Sequence, residues 1–224
     1  MSEPRITIIT GRFGSGKTEI AVNYARKLAG ERGQAVLIDL DLVTPYFRSR
    51  EMGEVLAPAG VTVVAPPPLT RAVDVPAVIP EILGAIQNPD RTVVVDVGGD
   101  PQGARALGQY ALYLRDLAHQ MLFAVNPFRP FTAEVAGIRS AIQDIEATSR
   151  LRVTGLVSNP NLIAETTPGL VRAGHQVVQE ASHALGLPIA FVCVEDRLAD
   201  ELREADLGAP VLYLKRYFYP AWEL

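Results

Sequence analysis

The chain has 224 residues, of which 48% are hydrophobic and 21% charged, with a formal net charge of −4. That composition supports a sizeable core and excludes global disorder, and with no Lys/Arg run longer than two it argues against nucleic acid as the main partner. No apolar run approaches the ~18 residues a membrane span needs, and one cysteine with three scattered histidines offers neither a disulfide nor a zinc or iron–sulfur constellation.

In chain order, β-branched and apolar runs predict strands at 5–10, 35–40, 61–65, 91–97, 120–125, 151–157, 188–194 and 211–215. Amphipathic stretches predict helices at 17–29, 46–57, 75–87, 101–117, 131–147, 167–186 and 197–205. Near-continuous hydrophobicity in the strands is the pattern of a parallel sheet buried on both faces. Strand–helix alternation then gives an α/β fold, doubly wound, with a mostly parallel sheet of seven to eight strands and helices on both faces. The stiff run Pro66-Pro67-Pro68 does not interrupt this pattern, so residues 1–224 are expected to form a single domain. The first residues lead straight into a strand without a secretory leader, and Cys193 sits in an apolar strand; both fit a cytoplasmic protein.

Residues 11–18 read Gly-Arg-Phe-Gly-Ser-Gly-Lys-Thr, a full match to the phosphate-loop pattern. They stand between the first strand and the first helix, the context that gives the pattern meaning. Backbone N–H groups of Gly11, Gly14, Ser15 and Gly16 would surround phosphate oxygens at the positive end of the helix dipole. Lys17 would reach the β- and γ-phosphates, and the Thr18 hydroxyl would face Mg²⁺.

Magnesium and an attacking water need further oxygen ligands, and open parallel sheets supply them at strand carboxyl ends. The second predicted strand ends in Asp39-Leu40-Asp41. The fourth ends in Asp96 and continues Val97-Gly98-Gly99-Asp100. The apolar run into Asp96 is a Walker B pattern, in which the carboxylate holds Mg²⁺ through water. Gly99 stands where its N–H would meet a γ-phosphate and report its presence. Asp39 is a further metal candidate, or a residue that fixes its loop.

Phosphate loop, strand-terminal Asp-x-Asp and Asp-x-x-Gly together resemble the deviant-Walker-A ATPases of the SIMIBI class. These include cell-division-site and plasmid-partition ATPases, the nitrogenase iron protein and the nucleotide domain of cobyrinic acid a,c-diamide synthase. The likeness extends over nearly the whole chain, and Asp-Leu-Asp-Leu-Val-Thr-Pro-Tyr-Phe-Arg-Ser-Arg-Glu resembles a group of uncharacterised bacterial ATP-binding proteins. The resemblance implies that Asp41 orients the attacking water, that Asn159 hydrogen-bonds adenine, and that the loop at Glu195-Asp196 lies near the base. It places Arg12 where the family has a lysine that crosses to the other subunit's phosphates. Arginine is a competent but non-equivalent phosphate partner. Phe13 replaces a family glycine, and Glu19 after Thr18 offers the α-phosphate only its backbone N–H.

Guanine readers carry Asn-Lys-x-Asp; Ser158-Asn159-Pro160-Asn161 has neither Lys nor Asp, which favours ATP. The expectation is therefore a Mg²⁺-dependent ATPase acting as a nucleotide-driven switch, as a homodimer with a protein client and no membrane anchor. Two alternatives stand beside it. One is a phosphotransferase or ligase of the cobyrinate or dethiobiotin synthase type, with Arg48, Arg50 or Arg129 meeting a small-molecule acceptor. The other is a non-hydrolysing nucleotide sensor. His119, His175 and His183 read as surface or helix-face residues.

Overall fold

A computed structural model describes residues 4–41, 49–66 and 78–218. The strands are β1 (Ile6–Gly11), β2 (Ala35–Leu40), β3 (Val61–Val64), β4 (Val93–Val97), β5 (His119–Val125), β6 (Gly155–Ser158), β7 (Ile189–Glu195) and β8 (Val211–Leu214). The helices are α1 (Lys17–Arg32), α2 (Ser49–Leu56), α3 (Pro80–Gln87), α4 (Pro101–Leu114), α5 (Val135–Ser149), α6 (Pro168–Leu185) and α7 (Glu204–Leu207). All eight strands join one sheet in the order β3-β2-β4-β1-β5-β6-β7-β8. Each described pairing between neighbours is parallel.

Strand alternation sends successive side chains to opposite faces. Ile6 and Ile8 join Val93, Val95, Met121 and Phe123 in a core closed by α3, α4, α5 and α6. Ile9, Leu37, Val94 and Leu122 face the other way, under α1 and α2. A third, smaller cluster joins α6, β7 and α7 through Val171, Val192, Val194 and Leu207. The central strands are buried along their whole length, which is why they read as unbroken apolar runs.

Three predicted elements differ clearly from the observed ones. The run 151–157 becomes strand only from Gly155. Leu151 and Val153 are buried, but the Val153 N–H donates to the Glu146 carboxylate (2.8 Å) instead of a neighbouring strand. The predicted helix 197–205 is a 3-10 turn, Asp196–Leu198, followed by the separate helix α7. Arg197 ties the turn to Glu195 (2.7 Å) and to the Thr166 carbonyl (2.7 Å), and the Asp206 carboxylate accepts from Arg203 N–H (2.9 Å) to start α7 anew. The predicted helix over 131–147 begins instead at Val135, behind a 3-10 turn, Pro130–Thr132.

Among the described residues no helix is long and apolar enough to cross a membrane. His183 is exposed and His119 half-buried, but His175 is a correction to the surface reading, being 3% exposed. Its Nε2 lies 3.1 Å from the Leu207 carbonyl and its Nδ1 3.0 Å from Ser158 Oγ. A carbonyl only accepts, so Nε2 carries the proton and Nδ1 accepts from the serine hydroxyl. The imidazole thus joins β6, α6 and the end of α7.

Burial lowers the His175 pKa from its ordinary value, opposed by the Leu207 hydrogen bond. A depressed folded-state pKa gives stability that is present above the unfolded value and lost as pH falls through the folded value. Between pH 7.5 and pH 5 the thermal midpoint of His175→Gln should therefore fall less than that of the wild type. Parallel pH profiles by differential scanning calorimetry would refute this.

Candidate functional site

Three carboxylates and one ammonium meet at the carboxyl edge of β2, β4 and β1. Parallel pairing sets Asp39 of β2 beside Asp96 of β4, and Asp96 beside Ile9 of β1, just before the phosphate loop. The loop turns through Gly14 (φ 76°) and Gly16 (φ 80°), left-handed conformations that favour glycine. Ser15 N–H bonds the Arg12 carbonyl (3.0 Å), and Ile20 N–H bonds Gly16 (3.0 Å), so α1 starts directly from the loop.

Lys17, in the first turn of α1, is buried and donates from Nζ to Asp41 Oδ2 at 2.7 Å. Burial by itself would lower its pKa, but the fields of Asp96, Asp41 and Asp39 together with the Asp41 hydrogen bond raise it. Asp39 accepts from the Asp41 N–H through Oδ1 (2.9 Å), which fixes the turn that presents Asp41. Asp96 is 1% exposed, and neither of its carboxylate oxygens has a hydrogen bond of good geometry among the described residues. Burial pushes its pKa up to about 6, against the opposing influence of Lys17 and the Thr18 hydroxyl.

These residues fit a hard cation. Carboxylates outnumber ammonium groups around Lys17, and the buried Asp96 carboxylate has no well-aligned donor among the described residues; a divalent ion or its bound water would supply one. Among the described residues no three His, Cys, Asp or Glu side chains converge as a self-sufficient metal cage. A cation here would rely on Thr18, Asp96 and ligand oxygens.

Gly99 packs directly on the loop: a Cβ there would collide with the Gly11 carbonyl and meet Arg12 C at 2.8 Å. The Asp-x-x-Gly segment thus touches the phosphate loop, and Asp100 goes on to cap α4 by accepting from Gly103 N–H (2.7 Å). Arg12 pairs with Asp144 of α5 (2.8 Å) and lies over the Phe131 ring (5.7 Å), while Phe13 is 81% exposed. Asn159, at the end of β6, donates to the Ser15 carbonyl (2.7 Å) and leaves no room for a side chain at Gly16.

Beside the loop lies a cavity of about 220 Å³, lined among others by Gly16, Glu19, Asn159, Asn161 and Glu195. Asp196 is exposed and outside this lining. Glu195 accepts from Asn161 (2.8 Å) and Arg197 (2.7 Å). Sequence reasoning missed Asn126, which is buried at the end of β5, donates to the Asn161 carbonyl (2.8 Å) and approaches the Gly14 carbonyl (3.4 Å). Arg129 also donates to Gly14, from Nε at 3.2 Å, so it braces the loop. The signal available for both was an Asn-Pro step at the carboxyl end of an apolar strand. Glu19 is half-buried; desolvation pushes its pKa up to about 7, against hydrogen bonds from the backbone of Tyr217 and Phe218. Tyr46, Phe47 and Arg48 lie outside the described residues, as does the Arg50 side chain.

No protein-family model matches the sequence, and neither does any curated protein. Solved structures do. Cell division protein FtsY from Thermotoga maritima is 19% identical with a TM-score of 0.57, over 87% of this chain and 63% of that one. Signal recognition particle receptor FtsY from Elizabethkingia anophelis gives 18% identity and a TM-score of 0.53, over 96% of this chain and 63% of that one. The nucleotide-binding protein from Archaeoglobus fulgidus, in complex with ADP, gives 14% identity and a TM-score of 0.50 over 91% of this chain and 87% of that one. The chain therefore spans less than two thirds of the FtsY chains. Similarity at this level establishes the fold alone, a P-loop α/β sheet.

The raised Asp96 pKa has a measurable consequence. A carboxyl whose folded pKa lies above its unfolded value contributes stability below the unfolded value, and that stability is lost as pH rises through about 6. Without divalent cation, Asp96→Asn should be more stable than wild type at pH 7.5, by on the order of 2 kcal/mol, with the gain gone at pH 4. Urea denaturation at both pH values reads it; an unchanged or lowered stability at pH 7.5 would overturn the assignment.

Proposed function

We propose that residues 1–224 work as one cytoplasmic nucleotide-binding domain that binds ATP with Mg²⁺ and hydrolyses it as a switch. The observation that carries this reading is the buried Lys17–Asp41 ion pair beside Asp96, whose carboxylate has no well-aligned donor among the described residues. In that pair the ammonium expected to hold the β- and γ-phosphates is neutralised by the carboxylate expected to orient water. A triphosphate entering the loop exchanges one anion for another on Lys17. Asp41 is then released toward the γ-phosphate side, with residues 42–48 directly attached to it.

The chemistry asked of the site is in-line phosphoryl transfer to water. Backbone N–H groups of the loop and Lys17 stabilise the charge that shifts during transfer, and Asp41 positions the water and accepts its proton. When bound, Mg²⁺ would be held by Thr18 and, through water, by Asp96, with Asp39 setting the Asp41 turn; it would neutralise phosphate charge. Gly99, packed on the loop, is the element through which the γ-phosphate would be sensed.

ATP is favoured over GTP by this chain's own residues, because FtsY, one structure of which is in complex with GDP, shares only the fold. The Asn-Pro-Asn segment lacks a guanine-reading Asp. Of the two carboxylates that line the cavity, Glu195 is engaged by Asn161 and Arg197, and Glu19 by the backbone of Tyr217 and Phe218. The exposed Phe13 and the half-buried Arg12 mark the surface at which a second copy would meet the loop.

Lys17→Ala should abolish measurable ATP affinity in calorimetry. Asp41→Ala should keep ATP affinity within about tenfold while turnover falls at least ~100-fold, because a water-orienting group acts in the transition state. Loss of binding in parallel with turnover would make Asp41 a structural residue. Tight ATP binding by the wild type without turnover would favour a sensor, and ATP consumption only with an added acid acceptor would favour a transferase or ligase. Light scattering should show a dimer with a non-hydrolysable ATP analogue at tens of micromolar; a persistent monomer would remove the second copy.

A further inference from the structure

After β8, residues 215–218 turn back across the first turns of α1. Asn23 grips both polar groups of Lys215: its Oδ1 accepts from the Lys215 N–H (3.0 Å), and its Nδ2 donates to the Lys215 carbonyl (2.9 Å). One turn earlier, the Glu19 carboxylate accepts from the backbone N–H groups of Tyr217 (2.6 Å) and Phe218 (3.3 Å). The Arg26 guanidinium lies over the Tyr217 ring (5.5 Å), and Tyr217 and Phe218 pack against the core beneath α1.

Glu19 and Asn23 stand four residues apart, so they lie on one helix face. Their helix begins with Lys17 and Thr18. The strap is therefore fixed to the same rigid element that carries the phosphate-binding side chains. It forms one wall of the 220 Å³ cavity, where Arg216 and Phe218 face the loop at Gly14 and Gly16. Arg216 is held in that wall by donating from Nε to the Phe218 carbonyl (3.2 Å). A space of this size is smaller than the roughly 300 Å³ at which small-molecule pockets begin, and it suits a base and ribose whose phosphates lie outside it in the loop.

We infer that the C-terminal strap is part of the nucleoside site, with Phe218 supplying the apolar surface for the base and Arg216 a cation beside the sugar–phosphate junction. Glu19 and Asn23 are the positioning residues that hold the strap in register with the loop. This inference rests on the nucleotide reading above and adds to it a recognition element almost two hundred residues from the motif.

The test separates nucleoside from phosphate. Calorimetry with Mg²⁺ compares ATP and inorganic tripolyphosphate on the full chain and on Phe218→Ala, Phe218→Leu, Arg216→Ala and Asn23→Ala. Phe218→Ala should weaken ATP about tenfold and leave tripolyphosphate within about twofold, since base–aromatic contact is absent from the bare anion. Phe218→Leu keeps apolar packing on α1 and should still lose several-fold for ATP alone. Asn23→Ala touches no ligand and should lose ATP affinity in the same selective way, together with faster amide exchange at Tyr217 and Phe218. Unchanged ATP affinity in folded Phe218→Leu and Arg216→Ala, or equal losses for both ligands, overturns the strap's role while leaving the nucleotide site standing. A wild type that binds tripolyphosphate but not ATP overturns both readings.

Discussion

One ammonium set among three carboxylates governs the carboxyl edge of this sheet. Charges taken out of water are tolerated only when paired and hydrogen-bonded, and removing one partner of a buried pair costs about 3–5 kcal/mol. Lys17 meets that condition through Asp41 at 2.7 Å, and Asp41 is held in turn by the Asp39 carboxylate on its own N–H. Asp96 does not meet it, and its raised pKa is the physical sign. The edge is thus built with one stable pair and one unmet requirement. A polyanion arriving with a divalent cation, as proposed above, would answer both by replacing the carboxylate on Lys17 and bringing a partner to Asp96.

The fold supplies this arrangement by register. β4 lies between β2 and β1, so Asp39 and Asp96 end adjacent strands, and the loop leaves β1 beside them. β5 flanks β1 on the other side, which brings Asn126 and Arg129 onto the outer turn of the same loop. The phosphate loop is therefore braced by strands that the chain reaches about a hundred residues later. Gly99 and Gly103 show the tolerance of this packing. A Cβ on Gly103 would lie 2.5 Å from Gly98 Cα, so the entry to α4 and the end of β4 fit only as glycine on glycine.

The parts of this design that were legible in the sequence are the parts encoded locally. Buried parallel strands read as apolar runs, and the aspartates that terminate them stood out against those runs. The glycines of the loop marked the phosphate-binding turn. What stayed hidden depends on side-chain-to-backbone bonds between distant segments. His175 sits on a helix whose spacing says nothing of the Leu207 carbonyl, 32 residues away. Leu151 and Val153 have strand composition, yet the Glu146 carboxylate takes the hydrogen bond that a neighbouring strand would have made. Glu19 stood out in the sequence only for its backbone N–H beside the α-phosphate; its carboxylate's partners at Tyr217 and Phe218 lie 198 and 199 residues on. The same limit applies to Asn159, whose bond to the Ser15 carbonyl crosses 144 residues.

Helix α1 shows how these levels depend on one another. Its middle is buried all round, with Ile20, Ala21, Val22, Asn23, Tyr24 and Ala25 all enclosed, while Lys27 and Glu31 stand exposed in the last turns. Turns buried all round need cover on more than one side, and the sheet covers only one. The strap closes the other, which is possible because Asn23 and Glu19 satisfy the strap's backbone groups where no strand runs beside them. The buried amide at position 23 is tolerable only with those bonds made. Cover, helix and loop therefore stand or loosen together.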